Sequence, residues 1–154
     1  MKKNKVIPRL STPIIETHCH LDYLKELPLD TLLSKCIENN IEKIITIAVE
    51  PDNFQQVLKL INENEFIYGT QGVHPHQAIT YNNNVKDEII KNSKHKKVLA
   101  IGEIGLDYHY NKSPKDKQIE AFEAQLELAC AENLPVVIHS RDAEDDTITI
   151  LEKF

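Results

Sequence analysis

The chain of 154 residues has no tryptophan, one methionine, four glycines and only three cysteines. Cys19, Cys36 and Cys130 are odd in number and far apart, which excludes a disulfide framework and points to reduced thiols in a cytoplasmic protein. No run of about 18 apolar residues is present, so no membrane-spanning helix is expected. The basic start Met1-Lys2-Lys3-Asn4-Lys5 lacks the apolar run of a signal peptide. Positive charge is short as well: 18 Lys+Arg stand against 24 Asp+Glu, a net charge of −6. That excludes a protein that coats polyanions by overall charge, and any nucleic acid must be held by a local site. There is no P-loop, no G-x-S-x-G nucleophile turn and no C-x-x-C pair. Gly102-Glu103-Ile104-Gly105 lacks the glycine spacing of a dinucleotide fingerprint.

What is present is an average globular balance, 41% hydrophobic and 27% charged, at a length that suits one domain over residues 1–154. Five short runs, at 14–17, 43–49, 66–73, 98–102 and 134–139, are rich in Ile and Val and apolar on consecutive residues. Such runs are buried on both faces, as in a parallel sheet. Helix-period segments lie between them. Leu29, Leu32, Leu33, Cys36 and Ile37 form one stripe, and Asn39-Asn40 is its stop. Phe54, Val57, Leu58 and Ile61 form a second, with Asp52 as candidate N-cap after Pro51. A short helix is expected at 85–92 after the break Asn82-Asn83-Asn84. The clearest helix starts with Ser113 as cap and Pro114 in the first position, and carries Ile119, Phe122, Leu126 and Cys130 on its apolar stripe. Cys36 and Cys130 are expected to pack there. Residues 145–154 read as a helix cut short, so a truncated chain is expected. This is an α/β alternation, and both an open doubly wound sheet and a (β/α)8 barrel fit it.

The histidines carry the chemical signal. His18-Cys19-His20 directly follows the first run, and on an extended chain residues i and i+2 point the same way. Both imidazoles can then reach one metal while Cys19 points away. Glu103 follows the fourth run and His139 ends the fifth. All four groups therefore sit at C-terminal strand ends, the edge where α/β proteins build their sites. Imidazole with carboxylate suits a divalent ion, and a bridging carboxylate would make a two-metal site. Each member alone has an ordinary reading: a hydrogen-bonding histidine or a loop carboxylate. His74-Pro75-His76 after the third run is either a rigid turn or a substrate contact. Arg141 would either clamp a phosphate or pair with Asp142 or Asp145. Asp107 would either orient a ligand histidine or cap a turn. Lys94-His95-Lys96-Lys97 precedes the fourth run, at the opposite end from the histidines, and reads as a solvated turn.

Four segments together resemble the TatD family of metal-dependent deoxyribonucleases: Ile15-Glu16-Thr17-His18-Cys19-His20-Leu21-Asp22, Gly72-Val73-His74-Pro75-His76, Ala100-Ile101-Gly102-Glu103-Ile104-Gly105-Leu106-Asp107-Tyr108 and His139-Ser140-Arg141-Asp142-Ala143. They occur in the family's order and spacing, and Gln118, Phe122, Gln125-Leu126 and Leu128-Ala129 resemble its fourth helix. Glu16 stands where the family more often has Asp. The resemblance implies a (β/α)8 barrel of the amidohydrolase type, here about its first five βα units. It implies a hydrolase that cuts DNA phosphodiester bonds through two divalent ions (Mg, Mn or Zn), often as an exonuclease. By that likeness His18 and His20 hold one ion, Glu103 bridges as the catalytic carboxylate, and His139 holds the second. His74, His76 and Arg141 face the substrate, and Asp107 supports a ligand histidine. A barrel of this kind needs about 250 residues. The family's further ligands, a histidine after the sixth strand and an aspartate after the eighth, have no counterpart in these residues. The expectation is a marginal monomer that takes a complementing C-terminal chain or associates through open sheet edges. Two alternatives accompany the nuclease reading: a catalytically impaired fragment, and a related hydrolase of small esters or amides.

Overall fold

The computed structural model describes residues 11–154. Strands and helices alternate: β1 (Ile14–Cys19), α1 (Leu29–Glu38), β2 (Ile41–Thr46), α2 (Pro51–Glu63), β3 (Ile67–Gln71), α3 (Asn83–Ser93), β4 (Val98–Asp107), α4 (Lys115–Glu132), β5 (Val136–Arg141) and α5 (Glu144–Leu151). Single 3-10 turns at Leu21–Tyr23 and Pro75–Thr80 follow β1 and β3. All neighbouring strands pair in parallel, in the order β1-β2-β3-β4-β5. A doubly wound sheet reverses its strand order at a switch point. This sheet never reverses. It is a curled half-barrel, part of a (β/α)8 architecture.

The apolar stripes of α2 and α4 seal its outer surface. Phe54, Val57 and Ile61 of α2 and Phe122 and Leu126 of α4 are buried against Ile67, Ile101 and Ile104 of the strands. Phe54 and Phe122 are the largest fully buried side chains, and each contributes about 1.5–3 kcal/mol by leaving water. Glycine matters most at Gly105, where φ is +139° and a Cβ would lie 2.0 Å from the His139 carbonyl oxygen. Only a residue without a side chain lets β5 approach β4 this closely.

Several local expectations shift. Glu50, not Asp52, caps α2: its carboxylate accepts from the Asn53 amide while the Asn53 side chain accepts the Glu50 N–H, and Pro51 opens the helix. Pro114, not Ser113, stands at the α4 cap, and the buried Ser113 hydroxyl donates to the His76 carbonyl oxygen at 3.0 Å. Lys97 is not a solvated turn residue. Its Nζ donates to the carbonyl oxygens of Ile61 and Asn64 at 2.7 Å each, satisfying carbonyls freed at the end of α2, and Lys94 pairs with Glu132. Cys130 is exposed rather than packed, while Cys36 is half-buried. β4 runs five residues past its expected end, through Glu103 to Asp107. No helix among the described residues is long and apolar enough to cross a membrane.

Candidate metal centre

Every candidate ligand lies at the C-terminal edge of the sheet. His18 is in β1, His20 just beyond it, Glu103 inside β4 and His139 inside β5. Parallel pairing puts Gly105 of β4 beside His139 and Cys19 of β1 beside Thr46, so the strand ends converge. Cys19 points away, with its Sγ 3.7 Å from the Ile45 carbonyl oxygen, and burial pushes its thiol up to about 12.

Glu103 is the hub. Its Oε2 is 3.3 Å from His18 Nε2 and 3.9 Å from His20 Nε2. Its Oε1 is 3.1 Å from His139 Nδ1 and 4.0 Å from His74 Nε2. Each carboxylate oxygen thus faces its own pair of imidazoles. Burial opposes ionisation of Glu103, but the hydrogen bond with His139 and the nearby His74 and His18 rings outweigh it and hold the carboxyl below its ordinary value.

The ligand atoms of His18, His20 and Glu103 lie within 4.8 Å of one another, and so do those of His74, Glu103 and His139. Hydrogen bonds at the far ring nitrogens separate ligands from donors. His20 Nδ1 sits 3.1 Å from the Ile47 carbonyl oxygen, so Nδ1 carries the proton and Nε2 offers a lone pair toward Glu103. His139 lies between two carboxylates, with Nε2 3.0 Å from Asp107 Oδ2 and Nδ1 3.1 Å from Glu103 Oε1; Asp107 keeps a proton on Nε2, so that an ion displacing the Nδ1 proton would meet a lone pair on the Glu103 side. The bond with Glu103 raises the His139 pKa, burial opposes the rise, and Asp107 adds to it. His74 is the reverse case. Its Nδ1 accepts the His76 backbone N–H at 3.1 Å, which leaves the proton on Nε2. In that tautomer His74 is a hydrogen-bond donor, not a ligand. Burial and the neighbouring His139 lower its pKa to about 3, so the ring is neutral. The donor set of His18, His20 and Glu103 therefore fits a divalent ion.

Asp107 supports the rings from below. It is fully buried, and its Oδ2 takes both His139 and His76 (2.7 Å), while Oδ1 accepts the Tyr110 N–H at 2.9 Å. Of the two readings of Asp107, orientation of histidines and capping of a turn, the structure has both. His76 is committed to Asp107, at the edge of the site rather than free in it. Arg141 pairs with neither Asp142 nor Asp145: its guanidinium lies 4.7 Å above the Tyr110 ring.

A family model described as TatD-related DNase matches residues 15–154. The chain belongs to this family. It is 38% identical over 141 residues to the uncharacterised metal-dependent hydrolase YabD of Bacillus subtilis (strain 168), covering 91% of this chain and 55% of YabD. It is 32% identical over 123 residues to the 3'-5' ssDNA/RNA exonuclease TatD of Shigella flexneri serotype 5b (strain 8401), covering 80% and 47%. The crystal structure of YJJV, a TatD homologue from Escherichia coli K12, matches with a TM-score of 0.83 at 30% identity, over 90% of this chain and 55% of that one. The chain spans about half the length of the curated relatives it matches.

Two groups in this TatD-related chain have roles that the sequence does not give. Gln118 and Gln125, two turns apart on one face of α4, are fully buried and clamp strand ends. Gln125 accepts the Val73 N–H at 2.7 Å and donates to the Val73 carbonyl oxygen, fixing the backbone just before His74. Gln118 does the same at Asp107, at 2.7 and 3.0 Å. A cavity of about 320 Å³ above Glu103 is also lined by Tyr23, Glu50, Gln77 and Lys112, which come from four separate loops and turns. Only proximity in the fold groups these residues, although an aromatic residue three positions after the His-x-His pair is a local hint.

Proposed function

We propose that this chain forms the two-metal centre of a hydrolase that cleaves phosphodiester bonds in DNA, in exonuclease fashion. The observation that carries the reading is Glu103, whose two carboxylate oxygens face separate imidazole pairs, the arrangement a bridging ligand requires. The nuclease named among its relatives supports the substrate class. His18, His20 and Glu103 would hold one divalent ion, and Glu103 with His139 the second; Mg, Mn or Zn would serve, and the nitrogen-rich set favours Zn. Bound there, the ions supply the Lewis-acid charge that makes water a nucleophile at neutral pH and stabilises the displaced oxygen.

The remaining work falls to side chains. Glu103 stays ionised because its imidazole neighbours outweigh burial. Asp107 holds the proton of His139 on Nε2, so that Nδ1 would be the nitrogen offered to an ion, and pins His76. The His74 Nε2–H donates to a phosphate oxygen, a role that needs the neutral tautomer set by the His76 amide. Arg141, held over Tyr110, offers its fork to the adjoining phosphate.

Metal titration by calorimetry, with hydrolysis of labelled single-stranded DNA measured beside a panel of small esters, tests this reading. Two ions per chain and DNA cleavage that chelation removes are expected. Glu103→Ala is expected to lose both. Unchanged metal uptake and cleavage in Glu103→Ala would overturn the bridging role, and cleavage of small esters without DNA would favour the second substrate class.

A further inference from the structure

Tyr23 has no structural reason to be where it is. It ends the 3-10 turn after β1 and remains 55% exposed, so it adds little to the core. Its ring nevertheless lies parallel to the His20 imidazole, with centroids 5.4 Å apart and an interplanar angle of 21°. It forms part of the wall of the cavity whose floor is Glu103, and Lys112 lines the same cavity. A phosphate seated on the floor carries its nucleoside toward that rim.

Charge sharpens the point. With a net charge of −6, the chain gains nothing from overall attraction to a polyanion. Among the residues lining the cavity Lys112 is the one lysine or arginine, so contacts with the bases add affinity that side-chain charge does not supply. An exposed aromatic face beside a phosphate site is the usual way to hold an unpaired base without reading its sequence.

We propose that Tyr23 is a stacking platform for the base next to the scissile phosphate, extending the His20–Tyr23 pair by one ring, with Lys112 opposing the flanking phosphate. The inference rests on the phosphodiesterase reading of the same site and deepens it: the substrate is unpaired nucleic acid of any sequence, and a base buried in a duplex stack cannot reach the platform.

The test compares two substrates with the same phosphodiester backbone, pentathymidylate and a five-unit abasic strand, on the full 154-residue chain loaded with Mn2+. Tyr23→Leu keeps an apolar side chain on His20 but has no aromatic face; Tyr23→Phe keeps the face. Stacking contributes about 5- to 150-fold per base. Tyr23→Leu should therefore lose that factor in kcat/KM on pentathymidylate, mostly through KM, and none on the abasic strand. Tyr23→Phe should match the parent on both. Anisotropy with a phosphorothioate pentathymidylate and a phosphorothioate abasic strand should show the same pattern in binding. Equal losses on both strands would mean that Tyr23 only positions His20, and no loss on either would mean that it is an idle surface residue; both overturn the proposal. Should the parent cleave neither strand, the phosphodiesterase reading falls, and anisotropy decides Tyr23 alone: tighter binding of the base-bearing strand that needs an aromatic at this position upholds it, and equal binding of the two strands overturns it.

Discussion

The middle of the sheet and its two edges differ in a way that explains the site. β4 buries nine of its ten residues and β3 four of five, whereas β1 buries none and β5 none. β1 and β5 each pair on one side only among the described residues, and Ile15 and Ile138 stand exposed there. The acids sit in the middle and two of the ligand histidines on the edges, while His74 and His76 follow the central β3. Glu103 and Asp107 belong to the most buried strand, while His18 and His139 belong to the least buried ones. A carboxylate kept in a fixed, dry position needs a rigid strand; the rings near the edges are fixed by hydrogen bonds instead, His20 to the Ile47 carbonyl oxygen and His139 to Asp107.

The largest test of this contrast is a pair of isoleucines. Ile101 in β4 is fully buried, so Ile101→Ala should cost about 2–5 kcal/mol. Ile15 in β1 is 57% exposed, so Ile15→Ala should change stability by less than about 0.5 kcal/mol. Urea denaturation of both reads the gap, and similar losses would mean that the edge is as tightly packed as the middle.

Gly105→Ala attacks the seam between the two regions. The added Cβ would meet the His139 carbonyl oxygen and sit at a positive φ, so β5 must move away from β4. A loss of about 1–3 kcal/mol is expected from such overpacking. Metal uptake should fall with it, because the contact carries His139. Unaltered uptake with lowered stability would show that His139 reaches Glu103 from a mobile strand.

The strands themselves are legible in the chain, from consecutive Ile and Val residues, and the His-x-His pair announces one side of the site. The contrast is not: the runs at 14–17 and 134–139 read as covered on both faces, yet β1 and β5 bury no residue, because each has a strand neighbour on one side only among the described residues. Three other things are not legible. Glu103 reads as a loop residue because Gly102 looks like a strand end, whereas the glycine lies within β4 and is needed where Val137 crowds it. Gln118 and Gln125 are named by the fourth-helix resemblance but not as clamps, because their partners are backbone groups 11 and 52 residues away. The cap residues miss by one or two positions, since Asn53 also donates to Asp22 and Ser113 to the His76 carbonyl oxygen, both outside the local pattern. Long-range pairing decides all three.

A second-tier test sharpens the role of the middle strand without touching a ligand. Asp107→Asn keeps the size of the side chain but removes the charge that holds the His139 and His76 protons. Loss of such a supporting carboxylate costs about 10–100-fold in metal affinity, or about 1.4–2.7 kcal/mol. Calorimetric titration reads it directly. Affinity equal to the parent's would reduce Asp107 to a turn cap for Tyr110.

The smallest effect vanishes at neutral pH. In the metal-free protein, burial and His139 hold the His74 pKa near 3, against 6.5 for a free imidazole. Between those values the unfolded chain binds a proton that the folded chain refuses, so stability rises with pH through the window. The His74 contribution is fully present above about 6.5 and is lost as pH falls toward 3. His139 acts with the opposite sign. The Glu103 bond raises its pKa, so its contribution is present below the unfolded value and is lost as pH rises through the folded one. His74→Gln removes only the first of these. Its urea midpoint should therefore fall less steeply than the parent's between pH 6.5 and 4 and run parallel to it above pH 7. Parallel curves over the whole range would mean that the His74 ring takes a proton in place, which breaks the fixed-donor tautomer on which its separation from the metal ligands depends.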